Sequence, residues 1–376
     1  MRILLVIRSL VIGGAERQCA ELACAMAERG HEVTLCTLGQ GGPLESLLSG
    51  SAVRMVSLGH SGRLGIGVTA LRLRRVCREL APDVIYSFLS VANLLCAGVL
   101  PVQYRRRLVW GVRASWMDLP AYGLVVRAVM RLETFLSRRP ALIVANSEAG
   151  VRHHAELGYP VARLRCVENR IDMRRFQFDA VRRLALRQAN AVADGDTVVA
   201  LVGRIDPIKG HDVFLRAVAR VAPRIARVRF WCVGDGIADL KARLLAQAEQ
   251  IGVGRDVRWL GDVADMAAVY SAADVVVSAS LSEGFPNVVA ESLACGTPVI
   301  GTDVGDTVRM IGIGGSCIRA GDADALALAI EACAGSARPE RAVVRREFLQ
   351  RFDPDLLLAR HESFLLAVAR EEVPVG

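Results

Sequence analysis

Asp274-Val275-Val276-Val277-Ser278 is apolar without alternation, so neighbouring elements must cover both of its faces. That is the signature of a buried parallel strand. Glu283-Gly284-Phe285-Pro286-Asn287-Val288-Val289-Ala290-Glu291 follows, and then Gly296-Thr297-Pro298 before a second apolar run at 299–302. Gly284 and Pro286 punctuate a turn, and proline is tolerated in a first helical turn because its missing N–H is not needed there. A helix over 288–294 is predicted. A strand, a tight turn, a helix start and another strand in so short a stretch leave few options beyond an open α/β sheet. Free N–H groups at the helix start attract anions. Glu283 falls at the strand's carboxyl end and Glu291 about two turns into the helix. Two carboxylates beside an anion-binding helix start suit a ligand carrying both phosphate and sugar hydroxyls.

The same alternation runs along the whole chain. In the first half, strands are predicted at 3–7, 31–37, 53–58, 84–87, 108–112, 142–146 and 165–168. Helices are predicted at 15–29, 68–80, 93–99 and 125–137, with Gly30 and Pro82 as stop signals. After a polar helix at 180–190 and the turn Asp194-Gly195-Asp196 a second series begins. Its strands are 198–202, 228–233, 257–260, 274–278 and 299–302, and its helices 211–221, 240–250, 266–272 and 288–294. With 376 residues, two domains are expected, both α/β, doubly wound and Rossmann-like. The expected division is 1–172 and 173–353, with an amphipathic tail helix (354–376) returning to the first.

The net charge of +8 is carried mainly by arginine. It fits anionic ligands or an anionic membrane face, whereas no interleaving of basic and aromatic residues marks a nucleic-acid module. Arg72, Arg74, Arg75, Arg78, Arg105, Arg106, Arg107, Arg127, Arg131, Arg138 and Arg139 concentrate that charge in the first half. They read as solvated helix faces or as a membrane-surface dock. The ten cysteines show no C-x-x-C pair and are expected as small buried residues in a reducing compartment. The apolar start is interrupted by Arg8 and reads as a first strand. No apolar stretch approaches membrane-spanning length.

Two further segments carry chemistry. Gly203-Arg204-Ile205-Asp206-Pro207-Ile208-Lys209-Gly210 joins a strand to a helix. Arg204 and Lys209 then stand where open α/β sheets bind ligands, able to neutralise a leaving diphosphate, or are two solvated surface charges. Gly13-Gly14-Ala15-Glu16-Arg17 ends the first strand and opens a helix, where glycine lets a ligand approach the backbone, or simply makes a turn. Gly65-x-Gly67-x-x-Ala70 mimics a dinucleotide fingerprint, but it follows the polar loop His60-Ser61-Gly62-Arg63 and lacks the acidic residue a ribose needs. Asp322-Ala323-Asp324 reads as a helix cap. His153 and His154, adjacent on one helix, face apart and are expected at the surface.

Taken together, the Glu283–Glu291 string, the G-R-x-x-x-x-K-G segment and the Gly13-Gly14 loop resemble the retaining family 4 glycosyltransferases (group 1). The resemblance covers most of the chain and is densest from 198 to 311. It implies the GT-B fold, two Rossmann-like domains facing across a cleft, with acceptor on the first domain and nucleotide-sugar on the second. It implies that Arg204 and Lys209 bind the diphosphate, helped by backbone N–H groups around Phe285, Pro286, Asn287 and Val288 beside Gly284. Glu283 would contact donor-sugar hydroxyls and Glu291 the ribose, while Gly234, Gly261 and Val263 would seat the base. Gly13, Gly14 and Arg113 would contribute from the first domain. Many relatives carry a histidine where this chain has Tyr86-Ser87-Phe88-Leu89-Ser90, and it resembles instead a subgroup with S-F-L, then Asn93 and Gly111-Val112-Arg113. In Val167-Glu168-Asn169-Arg170, Glu168 and Arg170 replace the common proline and glycine, which bears on turn geometry. No metal or other cofactor is implied. The implied acceptor is a glycan or lipid-linked molecule of bacterial cell-surface polysaccharide or glycolipid assembly, made in the cytoplasm or at the inner membrane face. Two alternatives stay open: a GT-B epimerase or phosphorylase, and a non-catalytic nucleotide-sugar-binding subunit.

Overall fold

The structure, a computed structural model, describes residues 1–59, 65–113, 124–335 and 338–372. The His60–Arg63 loop lies outside the described residues. Contacts divide the chain into two units, Met1–Arg170 with Asp355–Gly376, and Ile171–Pro354.

The first unit runs β1 (Arg2–Ile7), α1 (Gly14–Glu28), β2 (Glu32–Thr37), β3 (Arg54–Ser57), α2 (Ile66–Leu80), β4 (Val84–Phe88), α3 (Leu89–Val99), β5 (Leu108–Val112), α4 (Leu124–Leu136), β6 (Leu142–Ala145), α5 (Glu148–Glu156) and β7 (Leu164–Cys166). All strand pairs are parallel, in the order β3-β2-β1-β4-β5-β6-β7. Because side chains alternate along a strand, Ile3, Leu5 and Ile7 pack with Cys19, Ala23 and Met26 of α1. Leu4 and Val6 pack on the other face with Leu73 of α2 and Cys96 of α3. Both faces are covered, which is why these strands are continuously apolar.

The second unit runs α6 (Ala180–Ala189), β8 (Thr197–Val202), α7 (His211–Val221), β9 (Val228–Val233), α8 (Ala238–Gln250), β10 (Val257–Gly261), α9 (Met266–Ala272), β11 (Val275–Ser278), α10 (Asn287–Ala294), β12 (Val299–Thr302), α11 (Thr307–Ile311), β13 (Gly315–Ile318), α12 (Ala323–Gly335) and α13 (Arg341–Arg351). Its six parallel strands order as β10-β9-β8-β11-β12-β13. The last helix, α14 (Pro354–Ala369), belongs to the first unit, where Leu358, Leu365 and Val368 join the α1 face of the sheet.

In each sheet the strand order reverses once, between β1 and β4 and between β8 and β11. Helices diverge on either side of such a switch point and leave a crevice at the carboxyl ends of the strands, where open α/β sheets bind ligands. Gly13-Gly14 and Leu89-Ser90 follow the two strands of the first switch. Arg204–Lys209 and Glu283 follow the two strands of the second.

Several details depart from the sequence reading. α3 begins at Leu89 rather than 93, because Leu89 itself takes a left-handed backbone, φ +69°, and turns the chain into the helix at once. β13 was not anticipated: it is a four-residue edge strand in a glycine-rich stretch. His153 and His154 are buried, contrary to the expected surface position. α5 is covered on both flanks, His154 Nδ1 bonding Gly150 O at 2.7 Å and its ring meeting Tyr159 edge-on at 4.9 Å. Cys317 is exposed on edge strand β13, unlike the seven buried cysteines. Arg170 needs no positive φ, so replacing glycine there leaves the turn unstrained. Asp322 does cap a helix, accepting from Ala325 N at 2.8 Å.

Candidate active site

In the second unit, β8 ends at Val202 and the chain turns through Arg204 to a short turn of 3-10 helix, Pro207–Lys209, capped by Asp206, whose Oδ1 accepts from Ile208 N at 3.2 Å. Two contacts clip this turn onto the loop after β11. Leu281 N donates to Ile208 O at 2.7 Å. Gly210, at φ +67°, lies so close to Ala279 O that a Cβ would stand 2.0 Å from it, and only glycine fits.

The clip brings Lys209 to Glu283. Lys209 Nζ lies 2.5 Å from Glu283 Oε1, and Ser280 Oγ donates to the same oxygen at 2.6 Å. Ser280 was not singled out in the sequence. Its hydroxyl and the Lys209 ammonium share that one carboxylate oxygen. Arg204 pairs with Asp206 at 2.8 Å but is 66% exposed, so its guanidinium can swing.

From Glu283 the chain passes Gly284 and Phe285, which is buried edge-on against Phe352 at 5.8 Å. Pro286 is the N-cap residue of α10, one position ahead of the expected first-turn place. Pro286 itself makes no side-chain cap hydrogen bond, and the first turn of α10 begins at Asn287 and Val288, beside Glu283 in the chain. Behind the turn, Gly305 (φ +60°) sits where a Cβ would meet Gly284 O at 2.4 Å, and Asp306 N donates to that carbonyl at 3.0 Å. Glu291 is buried within α10, and Tyr270 Oη donates to its Oε2 at 2.7 Å. Tyr270, from α9, was also missed by the sequence reading.

Gly234, Gly261 and Val263 lie nearby on the ends of β9 and β10. Gly234 N donates to Gly261 O at 2.7 Å, Gly203 N to Val233 O at 2.9 Å and Asp235 N to Asp262 Oδ1 at 2.9 Å. The loops after β8, β9 and β10 are thus one backbone-bonded layer. Arg204, Lys209, Glu283, Gly284 and the α10 start converge at the β8/β11 switch.

In the first unit, Gly13 is extended at the start of α1 and the Glu16 carboxylate folds against it, where a Cβ would meet Glu16 Oε2 at 2.2 Å. An acidic group there suits the helix start. Gly14 opens the helix. Arg113, after β5, stacks over Phe88 at 4.9 Å and donates from Nη2 to Tyr86 Oη at 3.4 Å. Tyr86 Oη in turn lies 3.2 Å from His361 Nε2 on α14. Burial and the neighbouring Arg113 hold His361 down at about 3, so it stays neutral. Glu168 and Asn169 are buried, and Gln18 Nε2 ties Arg170 O to α1 at 3.0 Å.

Comparison with known proteins fits this architecture. A family model described as glycosyl transferases group 1 matches residues 196–335, and one described as glycosyltransferase family 4 matches residues 12–175. The chain belongs to the group 1, family 4 glycosyltransferases, with the GT-B fold. Anabaena HepE in complex with UDP-glucose superposes with a TM-score of 0.84 at 24% identity, over 98% of this chain and 100% of that one. Sucrose-phosphate synthase of Thermosynechococcus elongatus gives 0.78 at 18% identity, over 97% and 98% of the two chains. At such identities the likeness is one of fold. A D-inositol 3-phosphate glycosyltransferase of Mycobacterium sp. (strain KMS) is 40% identical over 125 residues, 33% of this chain. The match spans only 28% of that relative's length.

Proposed function

We propose that the protein is a retaining glycosyltransferase that moves a hexose-type sugar from a UDP- or GDP-sugar to a glycan or lipid-linked acceptor. The observation that carries this reading is the Lys209–Glu283 pair, held 2.5 Å apart at the β8/β11 switch beside the start of α10. A lysine and a carboxylate so fixed match the two ends of a sugar diphosphate, the cation facing phosphate and the Glu283 carboxylate facing sugar hydroxyls. HepE, crystallised with UDP and with UDP-glucose, favours uridine. Residues 173–353 are the donor domain, and residues 1–172 with 354–376 the acceptor domain.

In this scheme the diphosphate draws Arg204 away from Asp206 and Lys209 partly away from Glu283, so protein counter-ions are exchanged for substrate. As the C1–O bond to phosphate breaks, Arg204, Lys209 and the N–H groups of the Phe285–Val288 turn stabilise the charge growing on the leaving oxygen. The acceptor oxygen bonds C1 from the same face and its proton passes to the leaving phosphate, which preserves the anomeric configuration. Glu291 holds the ribose, Gly234, Gly261 and Val263 border the base, and Gly13, Gly14 and Arg113 serve the sugar or its phosphate. No metal is required in this scheme.

A peripheral membrane position has one specific support. α4 exposes Val129, Leu132 and Phe135 alongside Arg127, Arg131 and, just beyond it, Arg138. An apolar and basic helix face of this kind suits an anionic bilayer surface, although no helix among the described residues is long and apolar enough to cross one.

The test is sugar release or transfer from UDP-glucose and GDP-mannose followed by proton NMR of the anomeric signal. An α-anomer formed by wild type and abolished in folded Lys209→Ala supports the proposal. An inverted anomer, or turnover unchanged by the substitution, refutes it.

A further inference from the structure

The first unit holds a cavity of about 360 Å³ at its own switch point. Its walls come from the carboxyl ends of β1, β4 and β5 and from α4 and α5, the place where an open α/β sheet takes a ligand. Its lining is mixed. Leu89, Val112, Met130 and Leu157 give it apolar surface, and Tyr159 adds an aromatic one. Ser90, Asn93 and Glu133 also line it.

Glu133 is the unusual member. Its carboxyl is buried on α4, where a helix normally turns aliphatic residues inward. Ser90 and Asn93 hydrogen-bond it, yet burial outweighs them and pushes its pKa up. Asn93 is itself fixed, accepting from Ser87 Oγ at 2.7 Å and donating to Gly111 O at 3.2 Å. Leu89, on the cavity wall, carries the left-handed backbone that starts α3, a strain of about 1–3 kcal/mol that tends to persist where function requires it.

We propose that this cavity seats an uncharged, hydroxyl-bearing ring of the acceptor, a pyranose or cyclitol, with Glu133 gripping its hydroxyls. The inference rests on the reading of the protein as a sugar transferase and specifies its acceptor. The volume is at the low end for small-molecule pockets, about 300–1,000 Å³, and accommodates one ring. A sugar ring has an apolar face for the apolar and aromatic lining and an edge of hydroxyls that both donate and accept, as a carboxyl flanked by serine and asparagine requires. A phosphate or carboxylate at that edge would instead bring acceptor oxygens against the Glu133 carboxyl. The formal charges lining the cavity, Arg8 and Arg113 against Glu16 and Glu133, offer no excess of cations for an anion. Glu133 therefore selects neutral rings over phosphorylated ones.

Saturation-transfer NMR tests this on the full chain. The neutral probes are methyl α-D-glucopyranoside and myo-inositol, and the anionic ones glucose 6-phosphate and glucuronate, with UDP titrated into the same samples. Wild type should bind a neutral probe at least about tenfold more tightly than its anionic counterpart. Glu133→Gln, which keeps the shape and the hydrogen-bonding atoms, should retain that binding, and Glu133→Leu should weaken it at least about tenfold. Val91→Trp, placed at an exposed residue of the rim, should block the cavity without touching Glu133. Preference for an anionic probe, indifference to both Glu133→Leu and Val91→Trp, or no ring binding at all would overturn the assignment. UDP binding without ring binding would sink the cavity assignment alone. Ring binding without UDP binding would uphold the cavity and refute the donor reading.

Discussion

Gly210→Ala should disable the donor site through backbone geometry alone. The left-handed backbone at φ +67° costs a residue with a Cβ about 1–2 kcal/mol. The new Cβ would stand 2.0 Å from Ala279 O, whereas real contacts do not fall below 3.0 Å, so the two loops must part by about 1 Å. The Leu281 N to Ile208 O bond, now 2.7 Å, would then be stretched beyond good geometry, losing about 1 kcal/mol. The total is about 2–3 kcal/mol of stability. Lys209 is the neighbouring residue, and a shift of about 1 Å at a site can cost on the order of 100-fold in function. Gly252→Ala is the matched control, with φ +81° and nothing within 4 Å of its Cβ. It should cost only the backbone term of about 1–2 kcal/mol and leave the site intact. Urea unfolding and UDP-glucose titration of the two variants are the assays. Equal losses of stability together with equal affinity would refute the clip as the device that places Lys209.

Three more outcomes are expected. Tyr270→Phe removes the hydroxyl that donates to the buried Glu291 carboxylate; it should cost about 1.5–3 kcal/mol in thermal unfolding and weaken nucleotide binding, and an unchanged melting curve would contradict the contact. His361, held at about 3 against an ordinary 6.5, is a depressed histidine, so its stabilising share is present above pH 6.5 and is lost as pH falls toward its folded value. At pH 5 that loss is about 2 kcal/mol; melts of wild type and His361→Gln at pH 7 and pH 5 should show a shallower pH dependence in the variant, and parallel slopes would exclude the effect. Glu133 is a raised carboxyl, so its contribution is full below the ordinary carboxylate range and is lost as pH rises through its folded value. Glu133→Gln should accordingly gain stability relative to wild type as pH rises from 4 to 8, and a constant difference would contradict this.

What was legible in the sequence is what repeats along the chain. β8 and β11 are valine-rich, and like β12 they are buried on both faces, so they could be read as parallel strands without any partner in view. The Lys209-Gly210 and Glu283–Glu291 segments were legible because a strand, a turn and a helix start leave their own local marks. β13 left no such mark, being four residues long, only partly buried and set in a glycine-rich stretch. Ser280 and Tyr270 act through partners distant in sequence or across a loop, which no spacing rule reports. His154 reads as a surface residue until α5 is seen to be covered. Glu133 did leave a signal: it falls three residues after Met130 and three before Leu136, in line with the buried stripe of α4.

The most direct test is calorimetric titration of UDP-glucose into the wild type, Lys209→Ala and Arg204→Ala, each first shown to be folded, with GDP-, ADP- and dTDP-sugars titrated alongside. The account predicts binding of one nucleotide class by the wild type, with an affinity at least about tenfold lower in Lys209→Ala and reduced in Arg204→Ala. A folded wild type that binds none of these donors, or one whose affinity survives both substitutions, would contradict it.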